Sequence, residues 1–425
     1  MERNDDEYRL YTEILKEELI PAMGCTEPIA IAYAAARCRD LLGGMPESCR
    51  LEVSGSIIKN VKSVVVPNTG GMKGIEPAVA AGIVGGRAED GLQVIAGVKK
   101  EQLAKIVGFM SGTKIDVVPS NSGITFYIDI TEYAAGHSAR AVIAYYHTNF
   151  IRLEKDGAVI WDKAGSEDPS AQGADRSKMS VSGIWEYTNC VELADVENLI
   201  SRQIEFNSAL SAEGMKNAWG AQIGRVLRDE WGNDLRVRAC AAAAAGSDAR
   251  MNGCELPAVI ISGSGNQGIT ATMPVVVYAD ALGCGREKLY RALVLSDLVT
   301  VHQKTGIGSV SAFCGAVCAG VGAGCGAAYL MDADYKAICH TIVNALAVLS
   351  GMICDGAKPS CAAKIYEAVD AGLLGYAMYK HGQQFYGGDG IVKKGVENTI
   401  SSVCEVAREG MKETNERILE VMLRK

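Results

Sequence analysis

Cysteine is the residue type whose number and spacing first suggest chemistry: there are 14, and 11 of them follow residue 189. Cys240, Cys318, Cys325 and Cys339 sit among Ala, Gly and Val, where a free thiol packs as a small hydrophobe. The segment MICDGAKPSC, residues 352–361, is different. Its Cys354 and Cys361 flank a turn of Asp, Gly, Lys and Pro, chemistry that exposes backbone and breaks a helix. A helix beginning at Cys361 and the charge of Lys358 both favour ionised thiols there. Cys314, in Ser311-Ala312-Phe313-Cys314-Gly315, adds a third thiol upstream. Three thiolates without a fourth suit an iron–sulfur cluster with one iron open to substrate. Zinc more usually takes four close ligands or a His, and His340 is the only imidazole nearby in sequence.

Two further segments carry candidate chemistry. In PAMGCTEP, residues 21–28, Gly24 allows a tight turn, Thr26 is a good cap and Pro28 fits a first helical turn. Cys25 then precedes a helix N-terminus, where the positive end of the dipole is expected to lower its pKa and make it a base or nucleophile. A capped helix whose cysteine fills a gap fits the same residues. In ISGSGNQGIT, residues 261–270, backbone N–H groups, hydroxyls and the amides of Asn266 and Gln267 form an anion cradle before Met273-Pro274. That cradle suits a carboxylate or a phosphate, and a plain turn fits it as well. His137 and His147 are given no catalytic role.

These segments must be held by a framework, and the composition bounds it. The chain has 425 residues, too long for one simple core and enough for two or three domains. Its net charge of −8 opposes phosphate backbones, which argues against nucleic acid as the main partner. Glycine reaches 48 residues while aromatics are 6%, so the core relies on close approach of small side chains. The acidic, polar start MERNDDEYRL carries no secretory signal, so reduced thiols and a cytoplasmic setting are expected. Residues 305–331 form an uncharged run of 27 that is long enough to span a bilayer. Seven of them are glycine and large lipid-facing side chains are nearly absent, so a helix buried in protein is expected rather than a membrane span.

The pattern predicts helices at 8–19, 29–42, 77–84 and 101–109. Strands are predicted at 50–58, 63–66, 113–118, 123–130 and 141–147, followed by a hairpin turning at Asp156-Gly157. Residues 164–180 are polar and rich in Gly, Ser and Pro, and the boundary is expected there. Beyond it strand signals nearly vanish, and helices are predicted at 196–215, 217–230, 235–245, 275–282, 286–303, the neutral run, 335–349, 362–379 and 396–423. The expected fold is α+β: residues 1–172 form an α+β domain with a mixed sheet carrying the Cys25 loop, and residues 173–425 an all-α helical domain.

Taken together, GCTEP at 24–28, SGSGNQG at 262–268, SAFCG at 311–315 and GMICDGAKPSC at 351–361 resemble L-cysteine desulfidase, a branch of the iron–sulfur L-serine dehydratase superfamily. The resemblance spans essentially the whole chain. It implies an α+β domain joined to a helical cluster domain, with a [4Fe–4S] cluster held by Cys314, Cys354 and Cys361. It implies that Cys25 is the proton acceptor and that L-cysteine and water become pyruvate, ammonia and sulfide. L-Serine dehydratases carry a Ser-rich, His-Thr loop near the position of GCTEP, and this departure favours the desulfidase branch over the serine enzymes. In such a reaction an open iron polarises the substrate while a thiolate removes the α-proton. Ser264, Asn266, Gln267 and Lys358 are the candidates to bind the amino-acid substrate, Lys358 by adding positive charge beside the cluster.

Three other readings compete. One is an iron–sulfur L-serine dehydratase. Another is a pyridoxal-phosphate β-eliminase using 262–268 for the phosphate and Lys358 for the Schiff base. The third is a non-catalytic relative that keeps the fold. Partners are expected to be small molecules, with no nucleic acid and no membrane, and a homo-oligomer is left open.

Overall fold

The computed structural model describes residues 1–163, 173–308 and 311–424. The chain opens with α1 (Asp6–Glu18), the short β1 (Pro21–Met23) and α2 (Thr26–Leu42). Next come β2 (Ser48–Val53), α3 (Gly55–Val61), α4 (Ile75–Gly85), α5 (Lys100–Gly112) and β3 (Lys114–Pro119). The strands β4 (Tyr127–Ala134), β5 (His137–Ala144), β6 (Phe150–Lys155) and β7 (Ala158–Asp162) complete a six-stranded sheet of order β3-β2-β4-β5-β6-β7. Only the β2–β3 pair is parallel, so the sheet is mixed.

The remainder is helical. It comprises α6 (Val181–Cys190), α7 (Leu193–Lys216), α8 (Ile223–Trp231), α9 (Leu235–Met251), α10 (Gly265–Ala281), α11 (Arg286–Ile307), α12 (Gly315–Leu330), α13 (Tyr335–Leu349), α14 (Cys361–Lys380), α15 (Val396–Glu405) and α16 (Lys412–Leu423). One three-residue strand, β8 (Pro257–Val259), interrupts this half and pairs antiparallel with β1. The architecture is α+β, with the mixed sheet in the first part and helices in the second.

Two apolar cores follow from this layout. In the first, α2 covers one face of the sheet and α4 packs on α2 behind it, burying Ile29, Cys38, Leu51, Ile130 and Ala141 among others. The opposite face is polar. There Arg140 binds Asp129 through Nε at 2.9 Å and Nη2 at 2.6 Å, and also pairs with Glu154. The second core is helical, and it also takes in Tyr8, Tyr11, Ile14, Leu15 and Leu19 from α1, a helix that the sequence division groups with the sheet. Glu17 and Glu18 at the end of α1 bind Arg176, each at 2.8 Å, and Glu17 accepts from the Ala174 N–H at 2.9 Å.

The uncharged run is the middle of the helical core. Apart from Gly315 and the half-exposed Tyr329, every residue of α12 is buried, and glycines bring it against α14. A Cβ on Gly372 would lie 2.1 Å from the Gly320 carbonyl oxygen, so only glycine permits this approach. The glycine excess of the composition is used here. Among the described residues no helix is long and apolar enough to cross a membrane.

Several predicted elements differ. The strand expected at 50–58 ends at Val53, and 55–61 coils into α3, because Ile57 and Val61 bury one helical face. Residues 63–66 contribute a single bridge, Val65 to Lys73, instead of a strand. Helix α10 begins ten residues before the predicted start and runs through Pro274, with nearly all its first three turns buried. The final helix breaks at a π-helical turn over Val406–Gly410. Of the expected boundary, 164–172 lie outside the described residues.

Candidate active site

Four helix N-termini converge on one cavity of about 120 Å³ between the two cores. Cys25 is the N-cap of α2, Ser264 of α10 and Cys314 of α12, while Cys361 is the first residue of α14. Unpaired N–H groups and the positive ends of four dipoles make such a junction suited to negative charge. Local geometry explains each placement. Gly24 adopts φ +56° against the Pro67 ring, turning the chain from β1 into α2 and presenting Cys25. Ser264 Oγ accepts from the Gln267 N–H, starting α10. Cys314 and Cys354 are brought side by side by a two-way backbone bridge: the Cys314 N–H donates to Met352 at 2.9 Å and the Cys354 N–H to Ala312 at 2.6 Å.

The cavity is lined by Cys25, Cys314, Cys354 and Cys361 together with Ser264, Asn266 and Gln267. Lys358 is not among its walls. Its ammonium binds Asp355 and the Gly356 carbonyl, and its charge acts on Cys354 from outside. Lys364 lines the cavity in its place, also bound to Asp355. Arg140 and His137 belong to the sheet, and His137 pairs with Asp156 at the hairpin. His147 packs edge-on to Phe126 and against Gly263.

Electrostatics separate the thiols. The Cys314 thiol donates to Cys354, which pulls Cys354 down toward the thiolate, helped by Lys59, the Gly356 N–H and Lys358. Cys25 behaves contrary to expectation. Burial first, then the neighbouring Glu27 carboxylate, push its thiol well above the ordinary range, and Arg250 opposes them without prevailing. The helix start does not depress it because the thiol itself is buried and a carboxylate sits next to it. Cys25 Sγ donates to Glu27 Oε2 at 3.0 Å, and Asn60 Nδ2 donates to Glu27 Oε1 at 2.9 Å. Burial is the largest influence on Glu27 and raises it, yet His147, the Cys25 hydrogen bond and Arg250 together hold it below its ordinary value. Thr26 Oγ1 donates to the Gly263 carbonyl at 2.7 Å, tying the Cys25 loop to the Ser262–Gly268 loop.

Sequence reasoning missed the buried cations. Arg250 is 2% exposed and Lys304 5% exposed, and both line the cavity; Lys59, 1% exposed, binds the Cys354 carbonyl from behind. A lone Arg in the alanine-rich ACAAAAAGSDARM, and a Lys at the edge of the uncharged run, were the available signals.

Comparison with known proteins decides the family. The family model for the serine dehydratase alpha chain matches residues 89–420. The chain belongs to the serine dehydratase alpha chain family. Within it, the chain is 55% identical over 423 residues to a UPF0597 protein of Desulfitobacterium hafniense, covering 100% of this chain and 98% of that protein. UPF0597 proteins of Finegoldia magna (48% over 419 residues, 98% and 99% covered) and Lachnoclostridium phytofermentans (44% over 416 residues, 98% and 100%) are similar along their whole lengths. Membership of the serine dehydratase alpha chain family implies a lyase-type enzyme, and one associated with iron–sulfur clusters.

The residues present fit such a cluster. Cys314, Cys354 and Cys361 line one cavity, with the Cys314 and Cys354 thiols in hydrogen-bond contact and buried cations and helix N-termini facing them, a donor set suited to a negatively charged group bound through thiolates.

Proposed function

We propose that this chain eliminates the β-substituent of an α-amino acid, with L-cysteine as substrate and sulfide, pyruvate and ammonia as products. The observation that carries the proposal is that Cys25, on the sheet-bearing side, shares one cavity with Cys314, Cys354 and Cys361 on the helical side. Those three cysteines would hold a [4Fe–4S] cluster, which when bound supplies Lewis acidity toward the leaving heteroatom.

The chain's own residues account for the rest. Burial and the neighbouring carboxylate keep the proton on Cys25 at rest, and Glu27, held ionised and bonded to that thiol, accepts it as the sulfur takes the α-proton of the substrate. Asn60 fixes the Glu27 carboxylate so that this relay keeps its aim. Lys304 and Lys364 offset the negative charge that thiolates and substrate bring together. Ser264, Asn266 and Gln267 orient the polar end of the substrate, and Met251, Phe313 and Ile365 keep the cavity wall apolar. The aminoacrylate released then tautomerises and hydrolyses without the protein.

L-Serine is the second reading, since the same relay serves expulsion of hydroxide. GCTEP at 24–28, in place of a Ser-rich His-Thr loop, favours L-cysteine. The 14 unpaired cysteines suit a reducing, cytoplasmic compartment. The test is anaerobic reconstitution with iron and sulfide, followed by assay of sulfide and pyruvate from L-cysteine and of pyruvate from L-serine. Faster turnover of L-cysteine is expected. Visible cluster absorbance with turnover of neither amino acid overturns the proposal.

A further inference from the structure

Arg250 is the side chain at the cavity whose bonding is least complete. It projects from the last turn of α9 and is 2% exposed, yet only its Nη1 is engaged, donating to Asn266 Oδ1 at 3.1 Å. Its Nε and Nη2 are buried and without a partner. Those two nitrogens form one edge of the guanidinium, the edge whose parallel N–H bonds match the two oxygens of a carboxylate. Burying a guanidinium without acceptors is strongly unfavourable, so the vacant edge calls for an anion that the folded chain does not itself supply. Glu27, whose charge acts on Arg250, makes no hydrogen bond to it and is bonded to Cys25 and Asn60 instead.

The surroundings hold this edge in place. Asn266 pins the opposite nitrogen. Gly265 lies flat against the guanidinium, and a Cβ there would come within 2.3 Å of Nε. Gln267, also 5% exposed or less, leaves its Oε1 without a donor beside the same helix start. A buried carbonyl oxygen lacking a donor and a fork lacking an acceptor, on one wall, complement an ammonium and a carboxylate carried by the same small molecule.

We infer that the Nε–Nη2 edge of Arg250 is the carboxylate subsite of the amino-acid substrate, with Asn266 acting through Arg250 as a positioning residue. This rests on the lyase reading and narrows it: the carboxylate is gripped by protein, and substrates without a free carboxylate are refused. No bond forms or breaks at Arg250, whose contribution is binding and orientation.

The test uses cluster-loaded wild type with Arg250→Lys, Arg250→Gln and Gly265→Ala, each checked for visible absorbance and thermal melting. Lysine keeps the charge but loses the fork, and alanine at 265 displaces the fork while keeping the charge. The probes are L-alanine, which has no β-leaving group, and L-alaninamide, which has no carboxylate, both titrated by calorimetry. Wild type should prefer L-alanine, and Arg250→Lys and Gly265→Ala should lose roughly 30-fold of that preference, the size of one charge-assisted paired contact. The KM for L-cysteine should rise by a similar factor, with kcat falling less. A variant that keeps the wild-type preference for L-alanine overturns the inference, as does a wild type with lyase activity and no preference. A wild type that prefers L-alanine but turns over no amino acid sinks the lyase reading and leaves the carboxylate subsite standing. Should Arg250→Lys and Arg250→Gln not fold, Gly265→Ala decides the question alone.

Discussion

Replacing Glu132 with Gln should stabilise the protein increasingly as pH rises. Glu132 lies on the core face of β4, opposite Cys49 on β2 and Ala139 on β5, and is 0% exposed with neither carboxylate oxygen bonded. Burial pushes its pKa up from 4.5 to about 9, with Arg39 only partly opposing. The folded value is therefore raised above the unfolded one. Its stability contribution is full below pH 4.5 and is lost progressively as pH climbs toward 9. The slope is about 1.4 kcal/mol per pH unit, so near pH 7.5 the protein forgoes about 4 kcal/mol relative to a neutral side chain of the same shape. Urea unfolding of wild type and Glu132→Gln across pH 5 to 9 measures this directly. The stability difference should widen with pH at about that slope and flatten as pH approaches 9. An offset between the two proteins that is identical at both ends of the range would refute the reasoning.

Cys25→Ser should retain cluster absorbance and lose at least about 100-fold in elimination rate, because a hydroxyl is a far weaker acid than a thiol. Cys354→Ser should lose visible absorbance and activity together, which separates a ligand from a base in one pair of spectra. Glu27→Gln should lower kcat by about 100-fold or more with a smaller change in KM, since the amide cannot take the Cys25 proton; an unchanged kcat removes Glu27 from the relay. Gly372→Ala should destabilise by about 2 kcal/mol or more, read by thermal melting, because its Cβ meets the Gly320 carbonyl at 2.1 Å.

Legibility in the sequence tracked how local the physics was. The Asp156-Gly157 turn has φ of +51° and +78°, the left-handed pair that those two residues favour. Helix α13 spans the predicted 335–349 because its ends are marked by Asp334, whose side chain caps it, and by the Gly-bearing loop beyond. Helix α3 was misread because Ile57 and Ile58 are β-branched, and their burial against a distant core overrode that propensity. The start of α10 was misplaced because a buried Pro274 looked like a boundary, while tertiary packing carried the helix through it. At the site, the cysteines and the Ser262–Gly268 loop announced themselves by spacing and composition. Arg250 did not, because nothing in a run of alanines tells which single charged residue will face a cavity built by four other helices.

The path of the chain gives the sheet-bearing part an unusual standing. Helix α1 is packed in the helical core, and the chain returns to that core from residue 174, where Ala174 and Arg176 bind Glu17 and Glu18. The points where the chain leaves and rejoins the helical core are thus neighbours. In topological terms the mixed sheet and its helices are a domain inserted into a helical protein whose own first helix precedes the insertion. Insertions with adjacent ends are the kind a host tolerates losing or exchanging. A chain in which a short linker joins residue 19 to residue 173 would keep α1 and the cysteine-bearing helices together while deleting Cys25 and Glu27. A cut at 172 does the opposite, stripping the helical core of Tyr8, Tyr11, Ile14 and Leu15. The seam along which this protein can be divided therefore runs through two places in its sequence, and any dissection of the sheet-bearing part from the helical part has to respect both.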